Sequence, residues 1–180
     1  MPLTLTLCLT QDCNLRCRYC YAGRKQKRAM SRETAERAMD IGIAEARQRG
    51  ESVDLSFFGG EPLLEWELLQ HCHAYLTERA GELVTPPRFG ITTNGTLLEE
   101  MSETLRGAGA LQRVNVSLHS FEGNGGKREN LKEYVQKCIA FAKSCAGRPL
   151  VCFRLWNANR ANEAERLNTD VEICRDGRRY

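Results

Sequence analysis

Two kinds of hydrophobic pattern alternate along the chain. Short apolar runs with a period of two occupy residues 3–9, 53–58, 88–93, 113–119 and 149–156, and longer stretches with a period near 3.6 lie between them. The first kind predicts strands and the second helices, in the βα rhythm of a parallel sheet. A weaker sixth strand is predicted over 169–174. Ser31 is placed to cap a helix whose Ala35, Ala38, Met39, Gly42 and Ala46 form one stripe, ending at Gly50. Further helices are predicted over 63–80, 97–107 and 130–146, and no internal repeat or low-complexity linker interrupts the series. Right-handed crossovers would wind such strands into an open or partly closed barrel with the helices outside.

Alternation within the strands adds a second message. In "RVNVSLHS", Val114, Val116 and Leu118 share one face while Asn115, Ser117 and His119 share the other. Asp54 and Ser56 oppose Val53, Leu55 and Phe57 in the same way, and Cys152 and Arg154 oppose Val151, Phe153 and Leu155. Helices must cover the apolar rows, so the polar rows face the barrel interior, where a packed barrel has branched apolar side chains. This predicts a cavity for a polar ligand; a half-exposed sheet with one wet face accounts for the same pattern.

Composition narrows the class. With 180 residues, 42% hydrophobic and 27% charged, the expectation is a single domain over 1–180. The 26 basic and 23 acidic residues leave a net charge of +3, too small for a dedicated nucleic-acid surface even though the tail "RDGRRY" is locally basic. No obligatory nucleic-acid partner is expected. "MPLTLTLCLT" has no basic leader, and no stretch approaches the roughly 20 apolar residues that span a bilayer, so a cytoplasmic protein without membrane partners is expected. Thiols stay reduced there, and nine cysteines at irregular spacing point to metal chemistry or burial rather than disulfides.

Three of those cysteines fall within "CNLRCRYC", at Cys13, Cys17 and Cys20, after the first predicted strand. Spacings of four and three would also place them on one helical face as small buried hydrophobes, but Asn14, Arg16 and Arg18 make a poor core helix. Structural zinc wants a fourth ligand, and His71 and His73 lie far along a different element. An iron–sulfur cluster of four irons accepts three thiolates and leaves one iron open to an exogenous ligand.

The Cys13, Cys17, Cys20 pattern, "FFGGEP" after the second strand, "TTNG" after the third and "SLHS" on the fourth together resemble the radical S-adenosylmethionine (radical SAM) superfamily. The likeness is to its SPASM-associated peptide and protein maturases, including anaerobic sulfatase-maturing enzymes. It implies a partial (βα)5–6 parallel barrel of the α/β class. It also implies a 4Fe-4S cluster on Cys13, Cys17 and Cys20 that binds S-adenosylmethionine and reduces it. Methionine and a 5′-deoxyadenosyl radical result, and the radical abstracts a substrate hydrogen. The implied substrate is a peptide or protein side chain, and the implied electron donor a flavodoxin or ferredoxin.

Gly59, Gly60, Glu61 and Pro62 stand at the carboxyl end of the second strand, where open α/β sheets bind ligands. The glycines allow close approach, Glu61 or nearby carbonyls accept from the S-adenosylmethionine amino group, and Pro62 suits a first helical turn. On this reading, changes at the glycines weaken cofactor binding and leave iron in place; a plain strand-to-helix turn is the alternative. The resemblance further places Tyr19 against adenine, and gives Ser117 and Arg154 to the ribose or the methionine carboxylate, although either would equally satisfy a buried neighbour. Thr93 and Asn94 belong to the expected site, and Asn94-Gly95 is also a common turn signal. His119 is assigned a structural hydrogen bond, and no substrate-side acid or base is assigned. Most other cysteines are expected to be packing residues, with Cys152 on the inward row.

The departures concern the C-terminal part. Only Cys174 follows Cys152, so the auxiliary-cluster region of SPASM proteins has no counterpart, and the barrel is short by part of its sixth unit. C-terminal truncation, a minimal enzyme and a half needing a partner all remain open. The loop 122–130 is placed to border the substrate opening or to serve as a plain connection. Rival readings are a glycyl-radical-enzyme activase, a small-molecule radical SAM enzyme, a zinc or iron–sulfur module without turnover, and an incomplete remnant.

Overall fold

Five strands run parallel in one sheet in the order β1-β2-β3-β4-β5: β1 Leu3–Thr10, β2 Val53–Gly59, β3 Arg88–Thr93, β4 Arg113–Ser117 and β5 Leu150–Arg154. The computed structural model describes residues 2–20, 22–107, 111–118, 128–154, 174–175 and 178–179. The fold is the expected α/β partial parallel barrel. Each strand is followed by its crossover, so sequence neighbours are also sheet neighbours.

Helix α1, Arg32–Arg49, begins where Ser31 accepts from the Thr34 N–H and ends at Gly50 in the left-handed conformation, as its capping residues predict. The helix expected over 63–80 is instead a 3₁₀ turn, Pro62–Glu65, followed by α2, Trp66–Glu78. Glu61 caps that turn through the Leu63 N–H, and Glu65 at φ −110° and ψ 47° breaks the run before α2. The helix expected over 97–107 shrinks to α3, Ser102–Gly107. Residues 96–101 are turns, because the Asn94 side chain captures the Thr96 N–H and so sets an Asx-type turn first. Helix α4 spans Arg128–Ser144.

Strand alternation is realised as expected. Leu9, Val53, Leu55, Phe57, Ile91, Val114 and Val116 are buried, with Met39, Leu69, Leu76 and Cys138 of the helices in the same core. The opposite rows are wetter on most strands: Thr4, Thr6 and Cys8 are exposed, and Asp54, Ser56, Thr92 and Cys152 are half-buried, whereas Asn115 of β4 is buried. The polar face is therefore open along β1, which realises the wet-face alternative there. Asp54 and Arg88, paired in register, join across this face by two hydrogen bonds of 2.6 and 2.9 Å.

Cys72, Cys138 and Cys145 are buried packing residues, but Cys8 is exposed because it falls on the polar row of β1. The weak sixth strand does not join the parallel sheet among the described residues. Cys174–Arg175 instead pairs antiparallel with Arg178–Arg179. Residues 169–173, His119, Leu155 and the 122–127 part of the loop after β4 lie outside the described residues.

Candidate functional site

After β1, at its carboxyl end, the described residues between 11 and 29 belong to a loop that the chain closes at its base. The Gln11 N–H donates to the Arg28 carbonyl at 2.9 Å, the Met30 N–H to the Leu9 carbonyl at 2.7 Å, and Thr10 bridges antiparallel to Ala29. Cys13, Cys17 and Cys20 all lie inside this closed loop.

A second clasp comes from the next strand. Beyond Gly59, the Gly60 N–H donates to the Thr10 carbonyl and the Glu61 N–H to the Asp12 carbonyl, each at 2.8 Å. The fit leaves no room for a side chain, since a Cβ on Gly60 would lie 1.8 Å from the Asp12 carbonyl oxygen and one on Gly59 2.4 Å from that of Thr10. Gly59 also has φ +129°. The glycines thus serve a close approach, as expected, but the approaching group is the cysteine loop itself. Pro62 is buried at the start of the 3₁₀ turn, in the expected role.

Glu61 is fully buried and ties three segments together. Its Oε1 accepts from the Leu63 N–H at 3.1 Å and the Thr93 hydroxyl at 2.9 Å, and its Oε2 from the Asn94 N–H at 2.7 Å. Burial pushes its carboxyl above the ordinary carboxylate range, against the pull of those three donors. Thr93 shares the helix-covered side of the sheet, in register with Val116, and so meets Glu61 rather than the polar face. Asn94 is buried where the β3 end meets the cysteine loop, and its carbonyl accepts from the buried Tyr134 hydroxyl at 2.5 Å. Burial raises the Tyr134 phenol well beyond its usual range.

Cys13 is buried, and Cys17 and Cys20 are half-buried. Burial raises the Cys17 thiol; the hydrogen bond with Tyr19 opposes this, and the Cys13 and Cys20 sulfurs raise it further. Burial also raises Cys20, but the Lys25 ammonium at 2.8 Å and the Ala22 N–H outweigh it, leaving this thiol below its usual range. Arg16 donates to the Cys13 and Leu15 carbonyls and braces the turn between the first two cysteines. Among the described residues no three Cys, His, Asp or Glu side chains converge into a closed cage. The donor set nonetheless fits an iron–sulfur site: three soft sulfurs on one loop, with a cation beside one of them.

Ser117 and Arg154 are register partners at the carboxyl ends of β4 and β5, with Ser117 half-buried and Arg154 exposed. Tyr19 is 37% exposed in the cysteine loop. The expected site residues therefore gather at one edge of the sheet, in two groups. Gly59, Gly60, Glu61, Thr93 and Asn94 are interlocked with the base of the cysteine loop, while Ser117 and Arg154 stand on the next two strands, β4 and β5. Sequence reasoning missed Asn14, Lys25, Thr96 and Tyr134. Asn14 and Thr96 directly follow Cys13 and the Asn94-Gly95 turn, a signal within reach, whereas nothing local marked Tyr134 on a distant helix.

A parallel α/β sheet whose first strand opens into a three-cysteine loop, clasped by the glycine turn of the second, defines an iron–sulfur domain with its site at the strand carboxyl ends. Residues 7–168 match the family model of the Radical SAM superfamily, and the chain belongs to that superfamily. Its cofactors are those of the family, a 4Fe-4S cluster and S-adenosylmethionine.

Similar proteins include a probable GTP 3′,8-cyclase of Methanococcus maripaludis, 32% identical over 141 residues that cover 74% of this chain and 44% of that protein. A GTP 3′,8-cyclase of Ectopseudomonas mendocina is 36% identical over 124 residues, covering 66% of this chain and 34% of that protein. The chain thus spans less than half the length of these relatives. In fold it resembles anSMEcpe with bound AdoMet and the Cp18Cys peptide, with a TM-score of 0.65 and 22% identity over 93% of this chain and 46% of that one. It also resembles SuiB of Streptococcus suis bound to the precursor peptide SuiA, with a TM-score of 0.61 and 18% identity over 94% and 36%. Among the described residues no helix is long and apolar enough to cross a membrane.

Proposed function

We propose that residues 1–180 act as one radical SAM core domain whose cluster is held by Cys13, Cys17 and Cys20, and which modifies a peptide or protein side chain. The observation that carries the cluster assignment is the double clasp on the cysteine loop, by its own base and by the Gly60 and Glu61 N–H groups. When bound, the cluster and S-adenosylmethionine supply a 5′-deoxyadenosyl radical for hydrogen abstraction. The chain's own residues orient these groups. The Gly59–Gly60 backbone borders the cysteine loop, Pro62 starts the turn that follows it, Tyr19 lies within the loop to meet adenine, and Ser117 and Arg154 offer a hydroxyl and a guanidinium to the polar ends of the nucleoside and amino acid. Glu61, Thr93 and Asn94 serve the cofactors by fixing the loop.

The open polar face along Thr4, Thr6 and Cys8 supports a bulky substrate, and the peptide-bound fold neighbours fit that reading. A small-molecule substrate is the second reading, favoured by the sequence likeness to GTP 3′,8-cyclases. A cytoplasmic location suits the eight free cysteines among the described residues, and a flavodoxin or ferredoxin would supply the electron that the cluster passes on.

Anaerobic reconstitution tests the cluster assignment. About four irons per chain are expected, lost in Cys13→Ala, Cys17→Ala and Cys20→Ala and kept in Cys72→Ala; stoichiometric zinc without sulfide would refute it. Deuterium transfer from labelled peptides into 5′-deoxyadenosine tests the substrate class, and tight coupling to a nucleotide instead would select the second reading.

A further inference from the structure

Asn94, Thr96 and Asn14 close a ring of hydrogen bonds beside Cys13. The Asn94 amide Nδ2 donates to Asn14 Oδ1 at 2.8 Å, the Asn14 Nδ2 to Thr96 Oγ1 at 2.8 Å, and the Thr96 hydroxyl to Asn94 Oδ1 at 2.7 Å. The Thr96 N–H adds a second donor to Asn94 Oδ1 at 3.0 Å. With that oxygen taken by two donors, the carboxamide has one orientation, and its remaining N–H faces the Cys13 Sγ at 3.6 Å. The Leu15 N–H approaches the same sulfur at 3.4 Å, so Cys13 sits between two N–H donors. The Asn94 backbone is held in turn, its N–H by Glu61 and its carbonyl by Tyr134.

We propose that Asn94, locked by Thr96 and Asn14, is a positioning residue for the Cys13 sulfur, aiming an N–H donor at it and setting the electronic character of the metal it ligates. This rests on the assignment of Cys13 as a cluster ligand. Hydrogen bonds to cluster sulfurs stabilise the more negative, reduced state, so they raise the reduction potential and retain the metal. The role differs from contact with S-adenosylmethionine, because both amide hydrogens of Asn94 are committed to the loop.

The test compares wild type with Asn94→Ala, Thr96→Val and Asn14→Ala in two assays on the full chain. In the reconstituted protein, redox titration followed by electron paramagnetic resonance is expected to show a more negative midpoint in Asn94→Ala. A smaller shift of the same sign is expected in Thr96→Val and Asn14→Ala, together with iron loss to a chelator about 10–100-fold greater in Asn94→Ala. In the metal-free protein the ring helps keep the Cys13 sulfur buried, so opening it is expected to uncover the sulfur and let iodoacetamide alkylate Cys13 faster in all three variants, with Cys72 unchanged as a control for global unfolding. A wild-type midpoint and wild-type Cys13 protection in folded Thr96→Val and Asn14→Ala overturn the proposal, even where Asn94→Ala fails to fold. Failure of the wild type to take up iron would instead sink the cluster assignment, and the alkylation arm would still judge the ring.

Discussion

Gly60 and Glu61 show how one short motif serves two ends at the residue scale. A Cβ at Gly60 would strike the Asp12 carbonyl, so Gly60→Val is expected to displace the cysteine loop and to lose iron along with S-adenosylmethionine, measured as iron per chain and cofactor binding. Sequence reasoning predicts cofactor loss alone, because the loop that Gly60 meets is distant along the chain. Glu61→Gln is expected to cost about 1–3 kcal/mol in thermal or urea unfolding, since its amide would turn an N–H toward a donor that the carboxylate now satisfies. The buried Glu61 carboxyl has a raised folded value, so the folded state holds the proton more tightly than the unfolded state does. Its contribution to stability is therefore present at acid pH and is lost as pH rises from the ordinary carboxylate value through the raised one. Glu61→Gln is expected to remove that downward slope.

Caps were the most legible features at the scale of the element. Ser31 and Gly50 bound α1 as their chemistry demands, and Ser31→Ala is expected to cost about 1 kcal/mol, a fall in Tm of roughly 2–4 °C for a chain of this size. The polar and apolar rows of the strands were equally plain, because period two is a local signal and Val53, Leu55, Phe57, Val114 and Val116 all bury as it requires. Helix starts were misread where a carboxylate or carboxamide two residues upstream captured a backbone N–H first. Glu61 turned the beginning of the 63–80 segment into a 3₁₀ turn, and Asn94 held 96–101 back from the helix. The site was half legible for a different reason, the sequence distance its bonds span. Cys13, Cys17 and Cys20 declare themselves by spacing, but the bonds from Asn94 to Cys13 and from Tyr134 to Asn94 link residues 81 and 40 positions apart.

Across the whole molecule, protection is graded along the sheet. The apolar row of β4 is buried at Val114 and Val116, while that of β5 is only half-buried at Val151 and Phe153. Hydrogen exchange is expected to be slowest in β2, β3 and β4, with β5 amides exchanging measurably earlier; uniform protection across all five strands would contradict this gradient. A substrate or partner seated against the polar face should slow β5 and β1 selectively, which gives the peptide reading a structural readout independent of turnover.

The pairing of Gln11 with Arg28 and of Met30 with Leu9 makes the cysteine loop topologically self-contained, a handle whose two roots are fastened together on the sheet. Length added between Lys25 and Arg28 would not be transmitted to β1 or α1, because the roots fix where the chain leaves and returns. The entropy of closing a loop grows only logarithmically, so even doubling its length costs about 0.6 kcal/mol. A short glycine-serine insertion there is expected to leave both Tm and iron uptake near wild type, whereas the same insertion between Cys13 and Cys17 would separate the sulfurs and abolish iron binding. The stretch beyond Lys25 is thus a place in this loop where sequence can drift, or a reporter be grafted, without touching the chemistry.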